Sequence, residues 1–466
     1  MQKKFFIPLL FLSFSALVPF ITISQVLTLK DAVQAAVTNY GSLRSKASYI
    51  KAAQASAKQV QREYLPDLSV SAQQDYGSIN GSVGPISGFK GLSAASSGPP
   101  LPGQNWNSAF GALYLANINW DFFSFGRMKE KIKVSGQQVK LNVSDLEQEK
   151  FQQQVRVAAT YLNLLAAQRI TRSQENNLTR ASALRDVVVA RTRSGLNAGV
   201  DSSLANAEIS NAKIALVRAR DYELEQANQL AILMGAASGP FVLDTLFIAR
   251  IPAALTTPSS LAIDSHPILK FYHDRIGLSN SLESYYRRFN YPTFTMFGIL
   301  QGRGSGFDYD YGQQNTNGYT HNYWQGIGIQ RSNYLLGIGV VWNLTSPLRV
   351  HQQVLSQKFT SEGLQEEYDQ AERQFKTQLI LAEEKIKNAL LNYTEAPIQV
   401  KAATDAYQQK TVLYRNGLSN IVDATQALYA LNRAETDRDI AYNNVWQALL
   451  LKAAASGDFS LFINEF

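Results

Sequence analysis

Apolar residues recur at steps of three and four from the start of the polar chain. Between Thr28 and Tyr64 they fall at Val33, Ala36, Tyr40, Leu43, Ala47 and Ile50, the spacing of a helix that packs along a seam. This predicts a helix over 28–64, stopped by Pro66, whose ring cannot continue it. The period then changes to two. Leu68, Val70 and Ala72 alternate with Asp67, Ser69, Ser71 and Gln73, which predicts a strand over 67–75 with one wet side. The stretch Gly77–Asn107 is rich in Gly, Ser and Pro and reads as a long exposed loop. Alternation resumes with Phe110, Ala112, Tyr114, Ala116, Ile118 and Trp120 on one face, a strand over 109–121. Seam spacing returns over 127–193, with Val155, Ala158, Leu162 and Leu165. A helix of that length is on the order of 100 Å. A shorter helix is predicted over 200–235.

The second half repeats the first. Arg193-Ser194-Gly195-Leu196-Asn197-Ala198-Gly199-Val200-Asp201 returns without a gap as Arg415-Asn416-Gly417-Leu418-Ser419-Asn420-Ile421-Val422-Asp423. Trp120 returns as Trp342, Tyr64-Leu65-Pro66 as Asn290-Tyr291-Pro292, and Ala237-Ser238-Gly239-Pro240-Phe241 as Ala455-Ser456-Gly457-Asp458-Phe459. Landmarks in the same order define a duplicated unit: residues 25–240 and 241–466. The second repeat is predicted as a helix over 259–289, strands over 292–301 and 333–344, a long helix over 349–415 and a helix over 420–455. Pro397 should kink the long helix. The helices over 200–235 and 259–289 each cover about half of a long one, and the helix over 420–455 can stack on that over 28–64, so end-to-end stacking gives four rods of equal length. The linker 239–258 and the C-terminal tail would wrap where half-helices meet.

Each apolar strand face is roughly ten residues tall, enough for a tilted strand to cross a bilayer. Tyr291, Phe294, Trp120 and Trp342 suit an interfacial girdle. No helical pattern beyond residue 24 is apolar enough to span. Four strands leave two unpaired edges, and lipid offers them no hydrogen-bond partner. Only closure removes edges, so a barrel requires further copies of the chain. Two, three or four copies would close; spacing does not decide.

Composition narrows the class. Of 466 residues, 45% are hydrophobic and 17% charged, with a formal charge of +7. Lys and Arg are scattered along helices rather than clustered, which argues against nucleic acid. Met1-Gln2-Lys3-Lys4 precedes an apolar run from Phe5 to Ile23 and reads as a secretory signal over 1–24. An uncleaved anchor is the rival reading, disfavoured by Pro8 and Pro19 and by the polar helix that follows. Cysteine is absent, which excludes disulfides, thiolate metal sites and a lipid-modified N-terminal cysteine. His266, His273, His321 and His351 lack metal-ligand spacing. Gly302-Arg303-Gly304-Ser305-Gly306 opens no capped helix and is a loop tip rather than a nucleotide loop. No Gly-x-Ser-x-Gly elbow occurs. The reading is of no enzyme, cofactor or metal.

The duplicated Gly-Leu-x-x-x-Val-Asp turns, the Tyr64-Leu65-Pro66-Asp67-Leu68 strand entry and the Asn420–Tyr429 helix start resemble the TolC-like outer-membrane efflux family. The resemblance covers essentially the whole chain after the signal. It implies a mainly α fold with membrane β: a homotrimer whose twelve-stranded barrel sits in outer-membrane lipid on a periplasmic α-helical barrel. It also implies an exit duct of a tripartite efflux pump or type I secretion system. Such a duct works with a periplasmic adaptor (membrane fusion) protein and an RND-type or ABC-type inner-membrane transporter. The helix turns would form a gated periplasmic entrance. Carried over by position, Tyr414 matches the family's gate tyrosine, Asp201 the carboxylate it meets on a neighbouring helix pair, and Asp423 the first aspartate of an acidic ring. Two positions depart from the family. Gln426 replaces the ring's second aspartate, and Ser419 stands at the gate arginine. Gly195, Leu196, Gly199, Val200, Gly417, Leu418, Ile421 and Val422 would form the adaptor-docking turns.

These residues also have plainer roles. An aspartate at a helix start can cap free N–H groups, the glycines suit helix ends, and Tyr414 can simply pack. Two other functions compete with the duct: a periplasmic coiled-coil protein without a pore, structural or adhesive, and a surface receptor that binds through loops Gly77–Asn107 and Gly302–Arg331.

Overall fold

The computed structural model describes residues 26–81, 101–255, 265–312 and 315–466. The predicted signal over 1–24 lies outside the described residues. So do residues 82–100 and 313–314 of the two loops, and 256–264, which include the end of the predicted linker and the start of the predicted helix 259–289.

In chain order the elements are α1 (Leu29–Asn39), α2 (Gly41–Arg62), β1 (Asp67–Ser78), β2 (Ser108–Phe123), α3 (Arg127–Arg193) and α4 (Gly199–Met234). Then come α5 (Pro267–Arg287), β3 (Thr293–Ser305), α6 (Tyr323–Ile327), β4 (Arg331–Val341), α7 (Ser346–Arg415), α8 (Ile421–Ser456) and α9 (Ser460–Ile463). The protein is mainly α, with one four-stranded sheet among the described residues. It divides into two compact units, one built from residues up to Arg44, Gln148–His266 and Glu372–Phe466, the other from Ser45–Glu147 and Pro267–Ala371.

The second unit holds the sheet, an antiparallel meander in the order β1-β2-β3-β4. Its register sorts the side chains onto two faces. The row Leu68, Ile118, Gly298, Leu336 and the row Val70, Ala116, Leu300, Tyr334 lie on one, the alternating apolar face expected from the sequence. Ser69, Asn117 and Ile299, then Gln73, Leu113 and Arg303, lie on the other. The apolar face is open: Val70, Tyr334 and Leu336 are exposed. Among the described residues β1 and β4 each pair on one side only. Among the described residues no helix is long and apolar enough to cross a membrane.

The repeat is visible in how the strands join the helices. The Trp120 indole donates to the carbonyl of Tyr64 (2.8 Å), and the Trp342 indole to that of Asn290 (3.1 Å). Each tryptophan therefore latches the turn two residues before a proline. Both rings stay partly accessible, an apolar body with its polar edge satisfied.

The first unit is held by one large core. Tyr161, Leu162, Leu164 and Leu165 of α3 are fully buried against α1, α4 and α8. The linker and tail close over it. Trp446 stands edge-on to Phe247 (4.9 Å between centroids) and packs against Phe466 (4.8 Å). The Tyr161 hydroxyl donates to the Leu27 carbonyl and accepts from the Asp244 amide (2.8 and 3.2 Å), which satisfies an otherwise buried polar group.

Two expectations are corrected. The helix expected over 28–64 is two helices. Tyr40 is extended (ψ 121°) and ends α1, because a glycine follows it and the end of α1 is held against α4. There Gly235 takes a left-handed conformation (φ 64°), and a Cβ on it would come within 3.2 Å of Asn39. Pro397, where a kink was expected, lies inside α7, which continues to Arg415. The loop after β3 is not wholly irregular: it contains α6, which packs on β2 and β3.

Candidate functional site

The two nine-residue turns end α3 and α7, both in the first unit. Both close the preceding helix in the same way. Gly195 (φ 71°) and Gly417 (φ 78°) are left-handed, the conformation a side chain resists by about 1–2 kcal/mol. The Leu196 amide bonds back to the Arg191 carbonyl and the Gly195 amide to Thr192 (3.0 and 3.1 Å). The Leu418 amide bonds to Leu413 and the Gly417 amide to Tyr414 (2.9 and 3.0 Å). This paired closure satisfies helix-end carbonyls in both repeats. It turns Leu196, Val200, Leu418 and Val422 outward, all exposed, on either side of Gly195, Gly199 and Gly417. Ile421, grouped with them by sequence, is instead 4% exposed and packs with Leu184, Val188, Ala205, Tyr414 and Ala424.

The polar side chains join the two turns. Asn197 donates through one amide nitrogen to the Asp201 carboxylate (2.7 Å) and to the Tyr414 hydroxyl (2.9 Å). Asp201 and Tyr414, expected to act together, are thus bridged by Asn197 within one chain. Arg191 holds the other side of Asn197, donating Nε to Oδ1 (2.9 Å). Its Nη1 reaches across to the Arg415 carbonyl (2.8 Å), and its guanidinium lies 5.7 Å from the Tyr414 ring centre. A cation placed there also opposes the negative end of α7. Burial raises the Tyr414 hydroxyl above its ordinary range; Asp201 adds to this, while Arg191 and the Asn197 bond oppose it. Tyr414 therefore stays protonated.

On the second turn, Asn420 caps α8 by accepting from the Asp423 amide (2.8 Å). Asp423 is not the cap. Its carboxylate accepts from Lys410 (2.8 Å) and Ser419 (3.1 Å), and these bonds, Lys410 first, hold it below the usual aspartate range. Ser419 does not replace an arginine's charge, but it does share Asp423 with a lysine from α7. Gln426 is exposed, one helical turn beyond Asp423, and is not drawn into this network.

Arg191, Asn197 and Lys410 were not singled out from the sequence. Arg191 and Lys410 sit near the ends of long periodic helices, where a cation reads as ordinary complement to the helix dipole. Asn197 carried one signal. It occupies the position of Ser419 in the aligned turns, so a polar side chain recurs there.

Behind the turns, α3, α4, α7 and α8 pack through Ala181, Ala212 and Leu428. Arg180 of α3 grips Glu435 of α8 with two bonds (3.0 and 2.6 Å). Tyr429 donates to Glu208, a buried carboxylate. Burial holds Glu208 above the usual glutamate range, against the Tyr429 and Asn211 bonds.

A family model described as outer membrane efflux protein matches residues 32–236, the first repeat. No curated sequence matches the chain. Among solved structures, the outer membrane protein VceC from Vibrio cholerae aligns with a TM-score of 0.72 at 16% identity, over 92% of this chain and 96% of that one. The Campylobacter jejuni CmeC outer membrane channel aligns with a TM-score of 0.72 at 15% identity, over 92% and 85%. The open state of the Neisseria gonorrhoeae MtrE outer membrane channel aligns with a TM-score of 0.70 at 15% identity, over 92% and 89%. The first repeat thus matches the family's sequence model, and nearly the whole chain has the fold of these channels.

Proposed function

We propose that the protein is the outer-membrane exit duct of a tripartite efflux pump or type I secretion system. One observation carries this reading. A four-stranded meander shows an open apolar face and two unpaired edges, in a chain whose long helices end in matching, cross-linked turns. The edges call for further copies, and the fold family favours three. Each repeat, 25–240 and 241–466, then contributes two strands and two rods, with the linker 239–258 and the tail forming a belt. Solutes pass down the shared duct without chemistry, on energy supplied by an inner-membrane RND-type or ABC-type transporter. A periplasmic adaptor docks on the outward Leu196, Val200, Leu418 and Val422.

The entrance is gated by the bonds between turns. Arg191 and Asn197 tie the α3–α4 turn to Tyr414 and Arg415 of α7. Opening requires the α7–α8 pair to swing away from α3–α4, which breaks these bonds together. A pore-free coiled coil has no use for the bare face of Val70, Leu336 and Ile338, and the receptor reading has no observation in its favour.

Planar bilayers test the proposal. The protein should conduct, and Asp201→Ala with Tyr414→Phe should raise its single-channel conductance. A protein that inserts without conducting overturns the duct. Unchanged conductance in the double variant removes both residues from the gate.

A further inference from the structure

Part of the connection between β3 and β4, the stretch around α6, folds back over the apolar face of the strands, at the end away from the helix junctions. The Tyr323 hydroxyl donates to Gln74 (2.8 Å), the Tyr114 hydroxyl to the Ile327 carbonyl (3.1 Å), and the Tyr323 ring stands edge-on to Phe110 (5.2 Å). Gln74, Phe110 and Tyr114 share the face of Val70, Ala116 and Leu300.

Glycines make this approach possible. A Cβ on Gly304 would lie 2.6 Å from the Gly328 carbonyl oxygen, and one on Gly326 would lie 2.5 Å from Phe110 Cβ. Side chains at either position would lift α6 off the sheet. A Cβ on Gly302 would meet Ile329 at 3.1 Å. The most exposed large apolar side chains of this stretch are Trp324, 76% exposed, and Ile329, 61% exposed.

On β3 the stretch that α6 leaves bare is shorter than a membrane's apolar band. On β3 the apolar run from Phe294 to Leu300 rises about 20 Å along the strand, and tilt brings that to about 15 Å across the bilayer, against an apolar band of about 25 Å. The next rows are Ala72, Tyr114, Gly302 and Ser332, then Gln74, Ala112 and Gly304, where β3 and β4 give lipid no large apolar side chain. Those are the rows that α6 and Ile329 cover.

We infer that the 321–329 segment is a membrane-interface element: Trp324 and Ile329 lie in the boundary of the outer leaflet and extend the lipid-facing band where the strands turn polar. Its partner is lipid at the headgroup–acyl boundary, because the surface is continuous with the bare strand face below it. An indole there buries its ring and keeps its N–H wet.

The inference rests on the outer-membrane reading, and one experiment separates the two. The chain has no cysteine, so Trp324→Cys, Leu336→Cys and Tyr309→Cys each give a single nitroxide site at an exposed position. The full-length protein is reconstituted in phosphatidylethanolamine–phosphatidylglycerol vesicles, and each label's collision with oxygen and with a water-soluble nickel chelate is measured. The label at 336 should favour oxygen severalfold over the label at 309, with 324 between them. If 336 favours oxygen but 324 matches 309, α6 stands in water and the inference fails alone. If 324 is shielded from both reagents, protein covers it and the inference also fails. If 336 itself matches 309, the membrane reading fails with it.

Discussion

Arg191→Ala is the most informative single change at the entrance. The side chain donates to Asn197 Oδ1 and to the Arg415 carbonyl at 2.9 and 2.8 Å, and its guanidinium faces the Tyr414 ring. A charged hydrogen bond contributes about 1.5–3 kcal/mol where it is sheltered. Arg191 is only half-buried, so about 1 kcal/mol for each is the fairer figure, with about 0.5 kcal/mol from the ring. The variant should therefore weaken closure by about 2.5 kcal/mol in each protomer, a shift on the order of 70-fold between closed and open forms. Single-channel recording should show a higher open probability or conductance. Arg191→Lys keeps the charge but not the fork that reaches two acceptors, so it should recover only part of the closure. A channel indistinguishable from the parent after Arg191→Ala would refute the claim that these bonds hold the entrance shut.

Further outcomes follow from the same contacts. Trp446→Ala empties the main core of the first unit and should cost about 3–5 kcal/mol, read as a fall in Tm by circular dichroism. Gly417→Ala places a side chain at φ 78° and should cost about 1–2 kcal/mol, with weaker adaptor pull-down because the turn is reshaped. Glu208 is held above the usual glutamate range by burial, so folding favours its protonated form. Its contribution is complete below the ordinary glutamate pKa and is lost as pH rises through the folded value. Glu208→Gln should accordingly raise Tm at neutral pH and flatten its pH dependence. Asp423 has the opposite sign: with Lys410 and Ser419 holding it low, its contribution is present above the ordinary aspartate range and is lost only as pH falls through the lower folded value. Conductance should stay constant down through that ordinary range and rise below it, and Lys410→Ala should move the rise to higher pH.

Much of this was legible in the sequence because a strand's period is two and the sheet has one wet side. Leu68, Val70, Ile118, Leu336 and Ile338 share a face in the register as they do in the alternation. The duplicated turns were legible because both need glycine at the same left-handed position. Other features were hidden because they depend on tertiary contact. Nothing local to Tyr40 marks the break between α1 and α2 except the glycine after it; the approach of Gly235 to Asn39 brings together residues far apart in sequence. The Arg191–Asn197–Tyr414 chain joins the two repeats, so neither repeat read alone contains it. The departure at Ser419 looked like a lost ion pair. Lys410 on the preceding helix supplies a cation to Asp423 from a position that the turn motif does not include. Segment 321–329 was hidden by composition, since the glycines that let it lie flat on the sheet are the same ones that make it look like loop.

The central claim is that the sheet edges of one chain are completed by identical chains around a shared duct. Native mass spectrometry of the detergent-purified protein tests it most directly. The account predicts a single species at three times the mass of the mature chain; a monomer, stable and folded, would contradict it.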